Sequence, residues 1–382
     1  METRGRAAGT ARWTEDWAGR RSPDSASGVI GVLPGEGIGP ETTAAACRVM
    51  RAVEPAAGRR LDIRTGGPIG REAEELSGRA LTAEVEDFCR GVFAEGGVVL
   101  AGPGGGRFVY DLRRRFDLFC KLSPLRPFDA LAHAGRLKVS VVAGCDVLIV
   151  RENVEGVYQG EWDERMHPER GRVCEHRFRY SETRVRRILE VAARLAARRR
   201  GELAVVVKTG GIPGISALWR EAGLEAADRA GVNAAFVDVD LAAYRLIQDP
   251  RSFDVIAAPN LFGDVLADLG AVLLGSRGLS FSGNFAEDGA AVYQTNHGSA
   301  HDLAGLDRAN PLGQISSLAM LLRESFGLAR AAEGIERGIA EVLRLGFRTF
   351  DIAEEGTTVV GTTEMADRVA AAAERWVLAP EE

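Results

Sequence analysis

Two aspartates four residues apart, Asp264 and Asp268, lie in the segment NLFGDVLADLG, Asn260 to Gly270. On a helix that spacing puts both carboxylates on one face, about one turn apart. A third carboxylate, Asp240, lies upstream in FVDVDLAAYRLI. Three acidic side chains that converge make a hard-cation site suited to Mg²⁺ or Mn²⁺. A D-x-x-x-D pair alone reads as a solvated helix face. What favours chemistry is the apolar run FDVIAAP just before it, because open α/β folds place polar chemistry at the ends of buried strands. Lys208 ends another apolar run, LAVVV, and Arg151 ends VLIV, where a charge is unwelcome unless used. A partly desolvated Lys beside a metal can have a lowered pKa and act as a base; the alternative is a Lys snorkelling at a sheet edge. Tyr158 follows Arg151 by seven residues. Arg113, Arg114 and Arg115 in DLRRRFDLF offer bidentate donors for carboxylate or phosphate, although three adjacent residues cannot share one helical face.

The elements that must position these groups alternate strand and helix. GVIGVLPGEGIGPE reads as a strand, a Gly-rich turn and a helix; LTAEVEDFCRGVFAEG as a helix starting near Thr82; GGVVLAGP as a buried strand. FVYDLRRRFDLFCKL has helical spacing with a basic face, and SVVAGCDVLIVREN a strand ending in charge. SETRVRRILEVAARLAARRR is an amphipathic helix capped at Ser181. Strands ELAVVVKTGG, NAAFVDVD and FDVIAAPN alternate with further helices, and the C-terminal third reads as mainly helical. This order implies an α/β fold with parallel strands. GRVCEHRFRYS stands alone as a strand that could serve as a dimer clasp.

At 382 residues two domains or lobes are expected. A net charge of −6 argues against nucleic acid or an anionic membrane as bulk partner. No apolar run approaches the roughly 18–20 residues that span a bilayer. Five scattered cysteines without a C-x-x-C pair fit a reducing cytoplasm. Residues 1–27 lack periodicity and read as a disordered tail. GEGIGPE is G-x-G-x-G, a poor match to the dinucleotide fingerprint and a good one to a tight strand-to-helix turn. His297 and His301 are four apart, but Gly298 and Ser299 between them make a loop rather than a zinc helix.

LPGEGIGPE, LRRRFDLF, RENVEGVY, VVVKTGG, the Asp240 segment, NLFGDVLADLG, HGSAHDLAG and ANP at 309–311 together resemble the β-decarboxylating dehydrogenases of isocitrate, isopropylmalate, homoisocitrate and tartrate, over about residues 28–375. The resemblance implies an isopropylmalate-dehydrogenase-like two-domain α/β fold, non-Rossmann, with the active site in an interdomain cleft. Residues 28–118 and 275–382 would form the large domain and 119–274 the small one. It implies a homodimer whose active sites mix both subunits. Asp264 and Asp268 would bind Mg²⁺ or Mn²⁺ from one chain and Asp240 from the other. Arg113 and Arg151 would hold the substrate carboxylates, Lys208 of the partner chain would act as base, and Tyr158 would protonate the enol carbon. Gln294, His297, Gly298, Ser299, Ala300 and Asn310 would line the cofactor. Asp302 would accept from the ribose 2′-hydroxyl and repel a 2′-phosphate, which selects NAD.

Several positions depart from the pattern. Ser123 stands where the family has a second arginine, with Arg126 three residues on as a possible substitute. Gly210 replaces an Asn, Gln294 a Glu, Glu36 an Asp and His301 a Pro. Arg107, six residues before Arg113, favours an anionic distal substituent, a carboxylate or phosphonate, over isopropyl. The sequence therefore reads as an NAD-dependent, metal-dependent oxidative decarboxylase of a substituted malate in a specialised pathway. A tartrate/D-malate-type dehydrogenase and a catalytically silent regulatory paralogue are the competing readings.

Overall fold

Ten strands form one continuous sheet in the computed structural model, which describes residues 12–18, 28–58 and 60–379. The described strands are β1 (Val29–Leu33), β2 (Asp62–Thr65), β3 (Val98–Ala101), β4 (Cys120–Leu125), β5 (Val147–Glu152), β6 (Glu161–His167), β7 (Gly171–Arg177), β8 (Glu202–Val207), β9 (Asn233–Asp238), β10 (Val255–Ala258), β11 (Phe281–Phe285), β12 (Ala291–Thr295) and the short parallel pair β13 (Phe347–Arg348) and β14 (Thr358–Val359). The sheet order is β2-β1-β3-β12-β11-β4-β5-β10-β8-β9. β2, β1, β3 and β12 are mutually parallel, as are β5, β10, β8 and β9. Antiparallel pairings β12–β11, β11–β4 and β4–β5 join the blocks, which therefore run in opposite directions. The β11–β4 pairing carries the sheet from residues after 275 to residues before 274, so both sequence regions share one backbone ladder.

The buried strands are near-continuous apolar runs, as parallel strands covered on both faces must be. The helices are α1 (Gly39–Val53), α2 (Gly70–Ser77), α3 (Ala83–Ala94), α4 (Phe108–Arg115), α5 (Val139–Val142), α6 (Glu182–Ala197), α7 (Pro213–Ala230), α8 (Val239–Gln248), α9 (Asn260–Leu274), α10 (Leu312–Glu324), α11 (Ala329–Arg344) and α12 (Thr362–Leu378). Thr82 caps α3 through an accepted bond from the Val85 N–H, 3.2 Å. Ser181 is the N-cap residue of α6, but its hydroxyl donates to Glu155 instead of accepting from the helix. The clasp-like segment is β7, paired antiparallel with β6 in a separate, exposed two-stranded sheet.

Two expectations need correction and one is refined. Helical spacing over FVYDLRRRFDLFCKL holds only to Arg115: Asp117 adopts a left-handed conformation (φ 43°) and Cys120–Leu125 is a central strand. The C-terminal third is mainly helical, as expected, and in addition contains β11 and β12, whose central place in the sheet comes from pairing and not from local pattern. Residues 12–18 of the supposed tail are packed. Trp17 lies edge-on to Phe119 and Phe285, with centroids 5.9 and 5.8 Å away, and the Thr14 N–H donates to Glu324 Oε2 at 3.1 Å. Burying an indole and satisfying a buried carboxyl outweigh the entropy of ordering seven residues. Residues 1–11 and 19–27 lie outside the described residues. Also among the described residues, no helix is long and apolar enough to cross a membrane, and all five cysteines are free.

Candidate active site

The C-terminal end of β5 carries the centre of the site. Arg151 is 1% exposed, and its cross-strand partner on β4 is Lys121, which in turn lies opposite Asn284 on β11. Directly opposed residues point to the same face, so an amide, an ammonium and a guanidinium stand in a row across three strands. Helix α9 covers this face. Gly263 lets it approach: a Cβ there would stand 2.8–3.2 Å from the Arg151 stem. Asn260, in the first turn of α9, accepts from Arg151 Nε (3.1 Å) and Nη2 (2.7 Å), and Asp264 one turn later takes Nη1. Asn260 is itself fixed by the Tyr180 hydroxyl at its N–H and by the Glu155 carbonyl at its Nδ2.

Tyr158 completes this cluster. Its hydroxyl faces Asp264, and its ring lies 5.6 Å from the Arg151 guanidinium and 4.9 Å from Tyr110. Burial, then the charge on Asp264, push its pKa well above the usual phenol range, so it stays protonated. Asp264 is also pushed up by burial, but Arg151, Lys121, the Tyr158 hydroxyl and Arg113 outweigh that and hold it below the ordinary aspartate value. Arg113 from α4 is 4% exposed and forms no hydrogen bond or ion pair among the described residues; its Nε is buried without a partner. Arg114 and Arg115 are exposed, as three consecutive helical positions require. Arg107 sits at the rim: it donates to the Tyr158 carbonyl (3.3 Å), pairs with Asp111 (3.3 Å) and lies 4.9 Å from the Trp162 ring of β6.

Asp264 and Asp268 share a helix, as their spacing predicts; Asp268 is half-exposed and pairs with Arg277 at 2.8 Å. Asp240 and Lys208 form a second group. Lys208 Nζ donates to Asp240 Oδ1 at 2.6 Å and lies 3.9 Å from Asp238. No described residues of one chain gather three metal-ligating side chains, so Asp240 does not join Asp264 and Asp268 within a chain. The expected lowering of the Lys208 pKa is absent: its bond to Asp240 raises it. Ser123 is buried on the same β4 face as Lys121. Arg126 is exposed beyond the far end of β4, roughly 16 Å of strand from Lys121, and does not replace a charge at this site.

The Gly-rich turn between β1 and α1 lies against the 297–302 loop. A Cβ on Gly37 (φ 60°) would stand 1.9 Å from the Ser299 carbonyl, which accepts from the Ile38 N–H at 2.8 Å. Glu36 ties three loops together, accepting from Ser299 Oγ (2.8 Å) and from the N–H groups of Gly105 (2.8 Å) and Arg71 (2.7 Å). Burial raises its pKa, but these bonds win and hold it below the usual glutamate range. Gly35, Glu36, Gly37, Pro40, Arg71, Glu72, Glu75 and His301 line an open cleft of about 540 Å³. Asp302 is exposed on the turn after His301, and Gly298 is exposed beside it. Ala300 is left-handed (φ 39°), which turns the loop. Burial lowers the pKa of His297. Gln294 is buried on β12. Asn310 is buried, accepts from the Leu312 N–H (3.0 Å) and donates to Asp351 (3.0 Å), so its side chain first serves the entry to α10.

Lys121 and Asn260 are parts of the site that the motifs gave no role, and Glu36 stood out only as a departure from the family pattern. Lys121 had a signal: it is one of three lysines in an arginine-rich chain and stands between apolar residues. Asn260 had only its place after a strand.

A family profile described as isocitrate/isopropylmalate dehydrogenase matches residues 29–369. The chain is 38% identical over 358 residues to 3-isopropylmalate dehydrogenase of Methylococcus capsulatus, covering 90% of this chain and 98% of that one. It is 38% identical over 351 residues to 3-isopropylmalate dehydrogenase of Thermosynechococcus vestitus, covering 88% and 96%. Among solved structures, isocitrate dehydrogenase from Methylococcus capsulatus matches with a TM-score of 0.80 at 30% identity, covering 91% of this chain and 99% of that chain. The continuous sheet and the clustered charges at the end of β5 thus sit in a chain that belongs to the isocitrate/isopropylmalate dehydrogenase family.

Proposed function

We propose that the protein is an NAD- and Mg²⁺-dependent β-decarboxylating dehydrogenase of a substituted malate bearing an anionic distal group, with Mn²⁺ as the alternative metal. The observation that carries this reading is the pair of buried, unmatched cations, Arg113 and Lys121, beside Arg151, Tyr158 and Asp264. Uncompensated buried cations are costly unless an anion is delivered to them. The chain's groups suit both partners. Asp264 and Asp268 present carboxylate oxygens from one helix face, the donor type a hard cation takes. The glycine turn, the open cleft and the exposed Asp302 suit a dinucleotide without a 2′-phosphate.

When bound, NAD would supply the acceptor for the C2 hydride, and a metal held by Asp264 and Asp268 would supply polarisation of the hydroxyl and its carboxylate. Arg113 and Arg151 orient the carboxylates, and the buried face excludes water from them. With Asp240 drawn away to the metal, the Lys208 ammonium would release its proton to solvent, and the neutral amine would then take the hydroxyl proton. After CO₂ leaves, Tyr158, kept protonated by burial and by Asp264, delivers a proton to the carbon. One proton lost from oxygen and one gained by carbon leave the hydride and CO₂ as the net changes. A homodimer is supported by exposed apolar residues on adjacent helices, Leu241 and Tyr244 on α8 and Val265 and Val272 on α9, and by the exposed β6–β7 hairpin. In such a dimer Lys208 and Asp240 would serve the partner's site.

The test is a turnover panel of malate, isopropylmalate, isocitrate, homoisocitrate, tartrate and phosphonomethylmalate with Mg²⁺ and either NAD or NADP. The expected result is NAD reduction with an anionic-group substrate, abolished in Lys208→Ala. No turnover of any member at high enzyme would instead support the silent paralogue.

A further inference from the structure

Lys121 stands on β4 in a setting that gives its charge no work inside the chain. It is 3% exposed, yet its ammonium makes no hydrogen bond or ion pair among the described residues. Its neighbours across the sheet are Asn284 and Arg151, and Arg113 also bears on it. The acids within its field are Asp264 and Asp268, and both are engaged, Asp264 by Arg151 and Tyr158 and Asp268 by Arg277. Burial, then the flanking Arg113 and Arg151, hold the Lys121 pKa well below the usual lysine range, so the ammonium form is expensive here until a counter-ion is supplied. Leucine or methionine would fill the same strand position at no such cost. The face it shares with Arg151 is the one on which the proposed substrate carboxylates lie.

We infer that Lys121 is a substrate-binding, specificity-determining residue whose ammonium takes the third anionic group of the substrate, a carboxylate or phosphonate on the distal substituent. This rests on the malate-type reading above and narrows it. Arg113 and Arg151 suffice for the two carboxylates of the malate core. A branched alkyl substituent would leave Lys121 buried without a counter-ion, whereas an anionic one neutralises it. Arg107 at the rim already pairs with Asp111, so Lys121 is the better-placed unmatched charge.

The experiment compares full-length wild type with Lys121→Met and Lys121→Gln. Calorimetric binding of isocitrate, phosphonomethylmalate, isopropylmalate and inorganic phosphate is measured, with turnover of the same hydroxy acids recorded separately. The expected result is a loss of at least about 100-fold in affinity for the three-anion ligands and of less than about threefold for isopropylmalate, with a melting temperature no lower than wild type. Gln keeps the polarity, so a loss shared by both variants reports the charge and not the packing. Equal affinities in variant and wild type, or an equal loss for every ligand, overturn the inference. So does a variant that only binds Mg²⁺ more tightly, because Lys121 would then be a counter-ion for the aspartates alone. Wild type that turns over no hydroxy acid but binds anions in a Lys121-dependent way would overturn the dehydrogenase reading and leave this one standing.

Discussion

The two ends of the β5–β10 pair carry the same residue types at the same depth and use them oppositely. At the start of the strands, Asp254 is 1% exposed and fully matched: Arg199 Nε donates to it at 2.7 Å and the Arg200 N–H at 2.8 Å. Arg199 reaches on to Asp146 at 3.0 Å, just before β5. At the finish of β5, Arg151 has Asn260 and Asp264, but its neighbours Arg113 and Lys121 have no counter-ion. Buried charge that closes on itself is scaffold. Buried charge left over is a binding site, because its missing partner has to arrive from outside.

That contrast can be broken most severely at the scaffold end. Asp254→Ala leaves Arg199 with only the half-exposed Asp146 and the Arg200 N–H without its acceptor, and should cost about 3–5 kcal/mol of stability. Chemical denaturation would measure it, with substrate affinity in the surviving folded protein unchanged; a weakened substrate affinity would erase the distinction between the two ends. At the other end, Arg113→Met should cost about 2–4 kcal/mol in substrate binding by calorimetry, with thermal stability equal to or above wild type. A clear loss of stability there would mean that Arg113 is scaffold after all. Glu324 sharpens the comparison as an intermediate case, a buried acid with hydrogen bonds from Thr14 and no cation bonded to it among the described residues. Burial raises its pKa from 4.5 to about 7. The folded form then holds a proton that the unfolded form has lost, so stability falls as pH climbs from the unfolded value through the folded one. The loss attributable to Glu324 between pH 5 and 7 is about 2 kcal/mol. Glu324→Gln should flatten melting temperature against pH over that window; an unchanged slope would assign the titration elsewhere.

Much of the architecture could be read before any coordinates, because parallel strands advertise themselves as unbroken apolar runs and the helices between them as periodic ones. The aspartate pair, Arg151, Lys208 and the glycine turn were legible for the same reason: each interrupts or ends a strand that had no use for polarity. What escaped detection depended on partners distant in sequence. β4 looked helical because its pattern continues that of α4, and only pairing with β5 and β11 makes it a strand. Arg126 stood close enough in sequence to leave open whether it replaces the residue missing at Ser123, yet direction along a strand, invisible in one dimension, puts it at the opposite end from Arg151. Lys121 was visible as a rarity, but its significance came only from the company it keeps.

The order of strands in the sheet also sets a timetable for synthesis. β4, β5, β8, β9 and β10, with helices α6 to α9, are contiguous in the chain and can assemble while the ribosome is still working. β1 and β3 cannot be completed then, because β12, the strand that joins β3 to the rest, is translated only after residue 290. At roughly 5–20 residues per second the N-terminal strands wait many seconds with an open edge. The first segment made is thus among the last to find all its sheet partners, and the edge of β3 stays open until β12 is made.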